Sequence, residues 1–214
     1  DWEKEMEIVV DWLKQKEFAA IGEAGLDFYW DKTFIKEQYL ALEKQIALAL
    51  TYQIPLVLHT RNAMQETIGI IKKYKNTGLR GIFHCFGGSA EEALQIIKSG
   101  DRVFIHGSAQ TPTNILRHLS LQSDRLRDVE LVFISVLGDL FVDKPGMEES
   151  FNINALFVSE PIRKDVAEGR ADYVPVFLSE IPELFKRNVL PLDVAIVQVS
   201  PPDKHGYCSM GVSV

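Results

Sequence analysis

Residues 87–107 read GGSAEEALQIIKSGDRVFIHG, and the chain on either side of them carries two different chemistries. The stretch itself has a simple local logic. Ser89 stands three residues before Glu92, the spacing of a capping box, and Ala93, Ile96 and Ile97 follow as an apolar stripe, so a helix is predicted that Gly100 stops. Asp101 and Arg102 then lead into Val103, Phe104 and Ile105, a short apolar run that reads as a buried strand ending at His106 and Gly107.

Upstream, strand and helix alternate three times. Residues 2–16 place Met6, Val9, Val10 and Leu13 on one face of a helix. Residues 18–22 form an apolar run without alternation, as in a parallel sheet covered on both faces, and Glu23 sits at its C-terminal end. A helix over 34–52 precedes a strand over 54–58 that ends in His59, Thr60 and Arg61; a helix over 62–74 precedes a strand over 81–83 that ends in His84 and Cys85. Short connections between such units predict a parallel sheet. Glu23, His59 and His84 thereby fall at the C-terminal ends of successive strands, the rim on which α/β sheets and barrels carry their chemistry. A lone histidine at a strand end is usually structural, but a carboxylate and two imidazoles on one rim suit a divalent ion, with zinc and magnesium both open. Arg61, two residues beyond His59, either holds a phosphate through its guanidinium fork or is a solvated surface charge.

Downstream, residues 108–113 form a small-residue loop with Thr111 expected as a helix cap and Pro112 at the first helical position. Ile115, Leu116 and Leu119 mark that helix, and residues 129–135 a strand. A turn at 144–146, a short strand or loop at 155–158 and a helix over 161–168 ended by Gly169 follow. Residues 172–178 read as a strand whose Pro175 suggests a sheet edge, 181–186 as a short helix, and 194–199 as a buried strand. The loop from Gly107 to Thr113, whose Gly107, Ser108, Thr111 and Pro112 are candidate cleft residues, can offer backbone N–H groups to an anion or a thioester oxygen, or can simply form a tight turn. The loop with Ser200, His205 and Gly206 suits substrate contact, or is a surface loop braced by Pro201 and Pro202. His106, His118 and His205 share no ligand spacing, and Glu180 opens a helix, where a carboxylate complements the dipole.

With 214 residues, 46% hydrophobic and 25% charged, the chain can bury a core as one large or two small domains. A net charge of −7 without a basic run argues against a sequence-independent grip on nucleic acid. Two isolated cysteines, Cys85 and Cys208, imply neither a disulfide framework nor a zinc knuckle and fit a reducing cytoplasm. No apolar run reaches the roughly 18 residues of a membrane span, and no signal peptide opens the sequence. The chain begins without Met on what is already a helix and stops inside a glycine-bearing motif, so both ends read as cut.

Ile21-Gly22-Glu23-Ala24-Gly25-Leu26-Asp27-Phe28, Leu58-His59-Thr60-Arg61 and Phe83-His84-Cys85-Phe86-Gly87-Gly88 resemble three consecutive motifs of the TatD family of metal-dependent deoxyribonucleases, a likeness that covers residues 1 to about 98. The resemblance implies a β/α barrel of the amidohydrolase type, DNA as substrate, Glu23 bridging two divalent metals, and His59 and His84 as further ligands. The family's opening His-x-His pair would precede Trp2, and its late aspartate ligand would follow several strands on; neither is in this chain, which leaves at best one weakly held ion.

Gly100-Asp101-Arg102-Val103-Phe104-Ile105-His106-Gly107, the run from Gly169 to Pro182, and Gln198-Val199-Ser200-Pro201-Pro202-Asp203-Lys204-His205-Gly206-Tyr207-Cys208-Ser209 are similar to the amino-terminal domain of the acetyl-CoA hydrolase and CoA-transferase family, which includes the 4-hydroxybutyrate CoA-transferases. This likeness runs over residues 89–214. It implies coenzyme A, an acyl-CoA and a carboxylic acid as ligands, and a covalent glutamyl-CoA intermediate whose glutamate comes from a second domain beyond this chain.

The expected fold class is therefore α/β: a partial β/α (TIM-type) barrel segment over residues 1–88, then an open α/β CoA-transferase-like domain over 89–214. Three functional readings follow. The chain is a junction of two gene fragments with no complete catalytic site; or its carboxyl-terminal half acts as a CoA-family module once a partner supplies the missing domain; or its amino-terminal half retains metal-dependent phosphodiester hydrolysis. Gly87-Gly88 is too short for a linker between working domains, which favours the first.

Overall fold

Every strand pair in the computed structural model, which describes residues 1–212, is parallel, and the strands fall into two separate sheets. The chain divides accordingly into two units, Asp1–Ile96 and Ile97–Val214.

The first unit runs α1 (Trp2–Gln15), β1 (Ile21–Ala24), α2 (Ile35–Tyr52), β2 (Leu56–Leu58), α3 (Met64–Lys73), β3 (Gly81–Phe83) and α4 (Ala90–Leu94), with sheet order β1-β2-β3. Ile21 lies opposite Leu56 and Leu58 opposite Phe83, so the three C-terminal strand ends share one rim. Leu26, Leu42, Ile46, Leu56 and Leu58 form the core between this sheet and α2. β1 starts later than residues 18–22 imply. Its ladder begins where the Ile21 N–H reaches the Pro55 carbonyl at 2.8 Å, and Phe18 instead lies half exposed beneath the Lys16 ammonium. Glu23 is consequently a strand residue. Both halves of the capping box on α4 form, Ser89 N donating to Glu92 Oε2 at 2.8 Å and Glu92 N to Ser89 Oγ at 3.1 Å. The helix nevertheless ends at Leu94 rather than running to Gly100, because the buried Asp101 carboxylate takes the Lys98 N–H at 2.9 Å and offers that backbone an alternative to the helical ladder.

The second unit contains β4 (Arg102–Ile105), α5 (Thr113–Ser120), β5 (Val129–Phe133), β6 (Phe151–Ala155), α6 (Arg163–Ala167), β7 (Ala171–Tyr173), α7 (Ile181–Lys186) and β8 (Val194–Ile196), in sheet order β7-β6-β5-β4-β8. Val103, Ile105, Leu131, Val132 and Phe133 on the central strands are fully buried, and each such side chain contributes about 1.5–3 kcal/mol of transfer free energy. One sheet face packs Val132 with Leu156, Ile181, Phe104 and Phe185, the last two edge to face at 5.8 Å. A polar ladder ties three strands together: Arg102 Nε donates to Glu130 Oε2 and Asn154 Nδ2 to Glu130 Oε1, each at 2.6 Å.

Four expectations are corrected in this unit. The stretch at 155–158, expected as a short strand or loop, is loop beyond Ala155, and the strand lies before it at Phe151–Ala155; Phe151, Ile153 and Ala155 point inward in strict alternation, and Asn152 and Asn154, poor strand formers, disguise it. The run at 194–199 is a short edge strand and not a buried one, with Val197 and Val199 exposed. Thr111 does not cap α5. Its hydroxyl donates to the Ser108 carbonyl and accepts from Leu137 N, so Pro112 occupies the cap position without a side-chain bond. β7 does lie at a sheet edge, but it spans only Ala171–Tyr173 rather than 172–178, so Pro175 falls after the strand and not within it. No helix among the described residues is long and apolar enough to cross a membrane.

Candidate functional site

The rim of the first sheet is held by strand-end hydrogen bonds: His59 N donates to the Ala24 carbonyl at 2.8 Å, and His84 N to the Leu58 carbonyl at 2.8 Å. Gly25 makes this closeness attainable. At φ +148 its missing Cβ would lie 2.0 Å from the His59 carbonyl oxygen, so any side chain there would push β1 and β2 apart.

On this frame Glu23, His59 and His84 converge, each offering a ligand atom within 4.8 Å of the others. Glu23 Oε1 and His84 Nε2 are 3.3 Å apart, the spacing of two donors at about 2 Å from a tetrahedral ion, and the His59 and His84 rings stand 6.2 Å apart, tilted by 43°. Closing the set around one ion needs side-chain shifts of about an ångström. His59 Nδ1 is buried and has no hydrogen-bond partner among the described groups, a cost that a ligand would remove. The donor set therefore fits a divalent cation, and it is the one such cluster among the described residues. Cys85 Sγ lies 3.3 Å from His84 Nε2 but is not among the three converging groups.

Arg61 sits on the same rim. Its N–H donates to the Leu26 carbonyl at 3.1 Å, and its guanidinium Nη1 is 3.9 Å from Asp27 Oδ2 and its Cζ 5.6 Å from the Tyr29 ring centroid. With its side chain part-exposed, this guanidinium is open to a further anion.

In the second unit the chain leaves β4 for β5 on one side and returns as β8 on the other, so two loops depart from adjacent strand ends. In open parallel sheets, ligands bind outside the carboxyl ends of strands at such a reversal of strand order. His106 N reaches Ile196 O at 3.0 Å, and His106 Nδ1 lies 3.1 Å from Gln198 O, tying the two strand ends together. Gly107 is required here, since a Cβ would meet the Ser135 carbonyl oxygen at 2.0 Å. Around Ser108, Thr111 and Pro112 the backbone donors are engaged internally: Ser108 N with Ser135 O, Gln110 N with Gly107 O, Thr111 N with Ser108 O and Thr113 N with Thr111 O. The second loop is likewise self-braced. Ser200 N donates to Ser209 O and Ser209 N to Ser200 Oγ, both at 2.9 Å, while Asp203 Oδ1 receives the N–H groups of His205 and Tyr207 and Asp203 O that of Gly206. Sequence reading overlooked Asp203, although an aspartate two residues before His205 in a glycine-bearing loop is an Asx-turn signal. Glu180 is exposed at the cap position of α7 and makes no side-chain cap bond.

Comparison with known proteins separates the two units. Residues 1–121 match the family described as TatD related DNase, and residues 87–214 the acetyl-CoA hydrolase/transferase N-terminal domain. The succinyl-CoA:acetate/propanoyl-CoA:succinate CoA transferase of Fasciola hepatica is 43% identical over 137 residues, 63% of this chain and 28% of that protein. The uncharacterized metal-dependent hydrolase YabD of Bacillus subtilis is 33% identical over 124 residues, 54% of this chain and 48% of that protein. The chain thus spans between about a quarter and a half of these relatives. The crystal structure of RipA from Yersinia pestis aligns with a TM-score of 0.51 over 58% of this chain and 31% of that one, at 24% identity, a likeness of fold. By these matches, which overlap over residues 87–121, the chain belongs to two families at once, the TatD related DNases through its amino-terminal half and the acetyl-CoA hydrolase/transferase N-terminal domains through its carboxyl-terminal half.

Proposed function

We propose that the chain is a fusion of two partial enzymes, residues 1–88 a TatD-like metal-dependent hydrolase segment and residues 89–214 one wall of a CoA-transferase or acetyl-CoA hydrolase cleft. The observation that carries this reading is the change of sheet after β3: β3 pairs with β2, whereas β4 pairs with β5 and β8. A β/α barrel needs eight strands closing on one another, and here the chain enters a second sheet after three.

In the first segment Glu23, His59 and His84 hold one zinc or magnesium ion weakly and Arg61 contacts a phosphate of the DNA substrate. A bound ion would supply Lewis-acid stabilisation of charge at the phosphorus, but in the two-metal form of that chemistry both the attacking and the leaving oxygen are clamped. Three ligands serve one such position. In the second segment Gly107, Ser108, Thr111 and Pro112 line one side of a crevice for acyl-CoA and carboxylic acid, and Ser200, His205 and Gly206 the other. The sheet order supports this, since these loops leave the neighbouring ends of β4 and β8. Among the described residues we assign no carboxylate as the acyl-accepting nucleophile; Glu180 is exposed at the start of α7. Covalent catalysis by a carboxylate therefore depends on residues outside this stretch.

The test is to assay the purified 214-residue chain for DNA cleavage with added Mg²⁺ or Zn²⁺, and for CoA exchange with acetyl-CoA plus an acid acceptor. Neither turnover is expected. DNA cleavage abolished by Glu23→Ala or His59→Ala would show that three ligands suffice, and CoA exchange abolished by Glu180→Gln would place the nucleophile where this reading denies it.

A further inference from the structure

Beside the metal-capable rim the first unit exposes two large aromatic side chains that its fold does not use. Tyr29 is 56% and Trp30 76% exposed, their rings set edge to face with centroids 4.8 Å apart. Exposed aromatics on a mobile loop would mean little, but this segment is pinned. Asp27 N donates to Gln38 Oε1 at 2.8 Å and Gln38 Nε2 returns to Asp27 O at 2.9 Å, fixing the loop to α2; Phe28 N donates to Arg61 O at 2.9 Å; and Tyr29 N is held by Asp27 Oδ1 at 2.8 Å. Phe28 is buried against Tyr39, so the chain turns its next two rings outward from an anchored position. The Arg61 guanidinium lies over the Tyr29 ring, and Arg61 follows His59 by two residues, a separation of about 7 Å along extended backbone.

We propose that Tyr29 and Trp30 form a base-stacking platform for single-stranded nucleic acid, with Arg61 taking the phosphate between the stacked base and the rim. The inference rests on the phosphodiester-hydrolase reading of the first unit and adds to it how the strand is held. Three features select this occupant. Trp30, the more exposed ring, offers π surface that a base unstacked from its neighbours can cover and a paired base in a duplex cannot. One guanidinium, already partly neutralised by Asp27 at 3.9 Å, matches a single phosphate better than a tract of backbone. The surrounding charge is otherwise acidic, with Glu23, Asp27 and Asp31 against Lys32 and Arg61, so affinity for a polyanion must come from stacking more than from ion pairing.

The experiment uses the whole chain and fluorescence anisotropy of a labelled oligothymidylate about ten nucleotides long, in EDTA so that no ion contributes and no cleavage occurs. Trp30→Ala is expected to weaken binding by about 5- to 150-fold, the range of one lost base stack, while Trp30→Phe keeps most of it. The same variant should leave zinc affinity, read by calorimetry, at the parent value. An abasic strand of equal length should bind like the Trp30→Ala variant does, a duplex no better, and the logarithmic salt slope should stay near −0.7, about one phosphate contact. Unchanged affinity in Trp30→Ala, or equal binding of the abasic strand, overturns the platform even if zinc binds. Failure of zinc to bind while thymidylate binding still depends on Trp30 sinks the hydrolase reading and leaves the platform standing.

Discussion

The two sheets divide stability and chemistry unequally. In the five-stranded sheet the central strands β4 and β5 bury Val103, Ile105, Val129, Leu131, Val132 and Phe133, an Arg102–Glu130–Asn154 ladder ties them to β6, and the loops at their ends satisfy much of their own backbone. In the three-stranded sheet β3 is an edge, Ile82 is 57% exposed, and the rim carries a carboxylate and two imidazoles that converge, with the His59 Nδ1 atom buried and without a hydrogen-bond partner. Two β/α pieces of similar local grammar thus differ at their edges: one braces the backbone of its strand-end loops internally, the other gathers three metal-capable side chains on a thinner scaffold. What separates them is how many strands lie on each side of the functional edge. A residue at the end of a strand flanked on both sides is positioned by both neighbours, whereas His84, at the end of an edge strand, is positioned by β2 alone.

The comparison would break first on packing. Phe133→Ala removes a fully buried ring from β5 and is expected to cost about 3–5 kcal/mol in urea unfolding, against less than about 0.5 kcal/mol for Ile82→Ala on β3. Native-state hydrogen exchange should likewise find β5 amides slower than β3 amides by the larger margin; equal protection would mean that the edge of the small sheet is not the weak point. The metal rim comes next. His84→Ala is expected to lower zinc affinity at least about 100-fold by calorimetry while leaving the unfolding of the second unit unchanged, and the same loss on mutating His106 or His205 would show that the ligands had been assigned to the wrong sheet. The smallest effect is electrostatic. Asp139 is held below the ordinary carboxylate range, first by its hydrogen bond with Lys144 and then by the Phe141 N–H, and Lys144 is raised mainly by the same bond with Asp139. A depressed carboxylate stabilises the folded state above the ordinary value of about 4, and that contribution is lost as pH falls through the lower folded value; the raised ammonium contributes below about 10.4 and loses its share as pH rises through its higher one. Because both groups are exposed, Asp139→Asn should flatten the acid limb of the stability profile only slightly, and a large change would point to a buried role that the structure does not give it.

Much of this was legible in residue order. The alternation of apolar strands with periodic helices placed α1, α2, β3 and α7 within a residue or two, and the capping box at Ser89 and Glu92 formed as its spacing predicts. Glu23, His59 and His84 could be marked because strand ends in a parallel sheet share a rim, and each followed an apolar run. β6 escaped because its alternation was carried by Phe151, Ile153 and Ala155 between asparagines, and the Thr111 hydroxyl was drawn to Ser108 and Leu137, a partner 26 residues away that local grammar does not reveal.

Sequence by itself therefore determined most element types, the parallel sense of the first sheet, the metal-capable triplet and the membership of each half in its family, since all of these depend on patterns a few residues long or on motifs read whole. Tertiary structure alone decided which contacts hold the shared stretch in the second sheet, where the motif at Gly100–Gly107 had placed it. Residues 87–121 match both families, and an Arg102–Ile105 strand can locally follow β3 or begin a new sheet. The burial of Val103 and Ile105 between β5 and β8, the Glu130 ladder and the Asp193 carboxylate on Arg102 N at 2.8 Å settle it for the second, through partners 28 to 91 residues away. Local propensity is the same in either sheet, and only the non-local contacts differ.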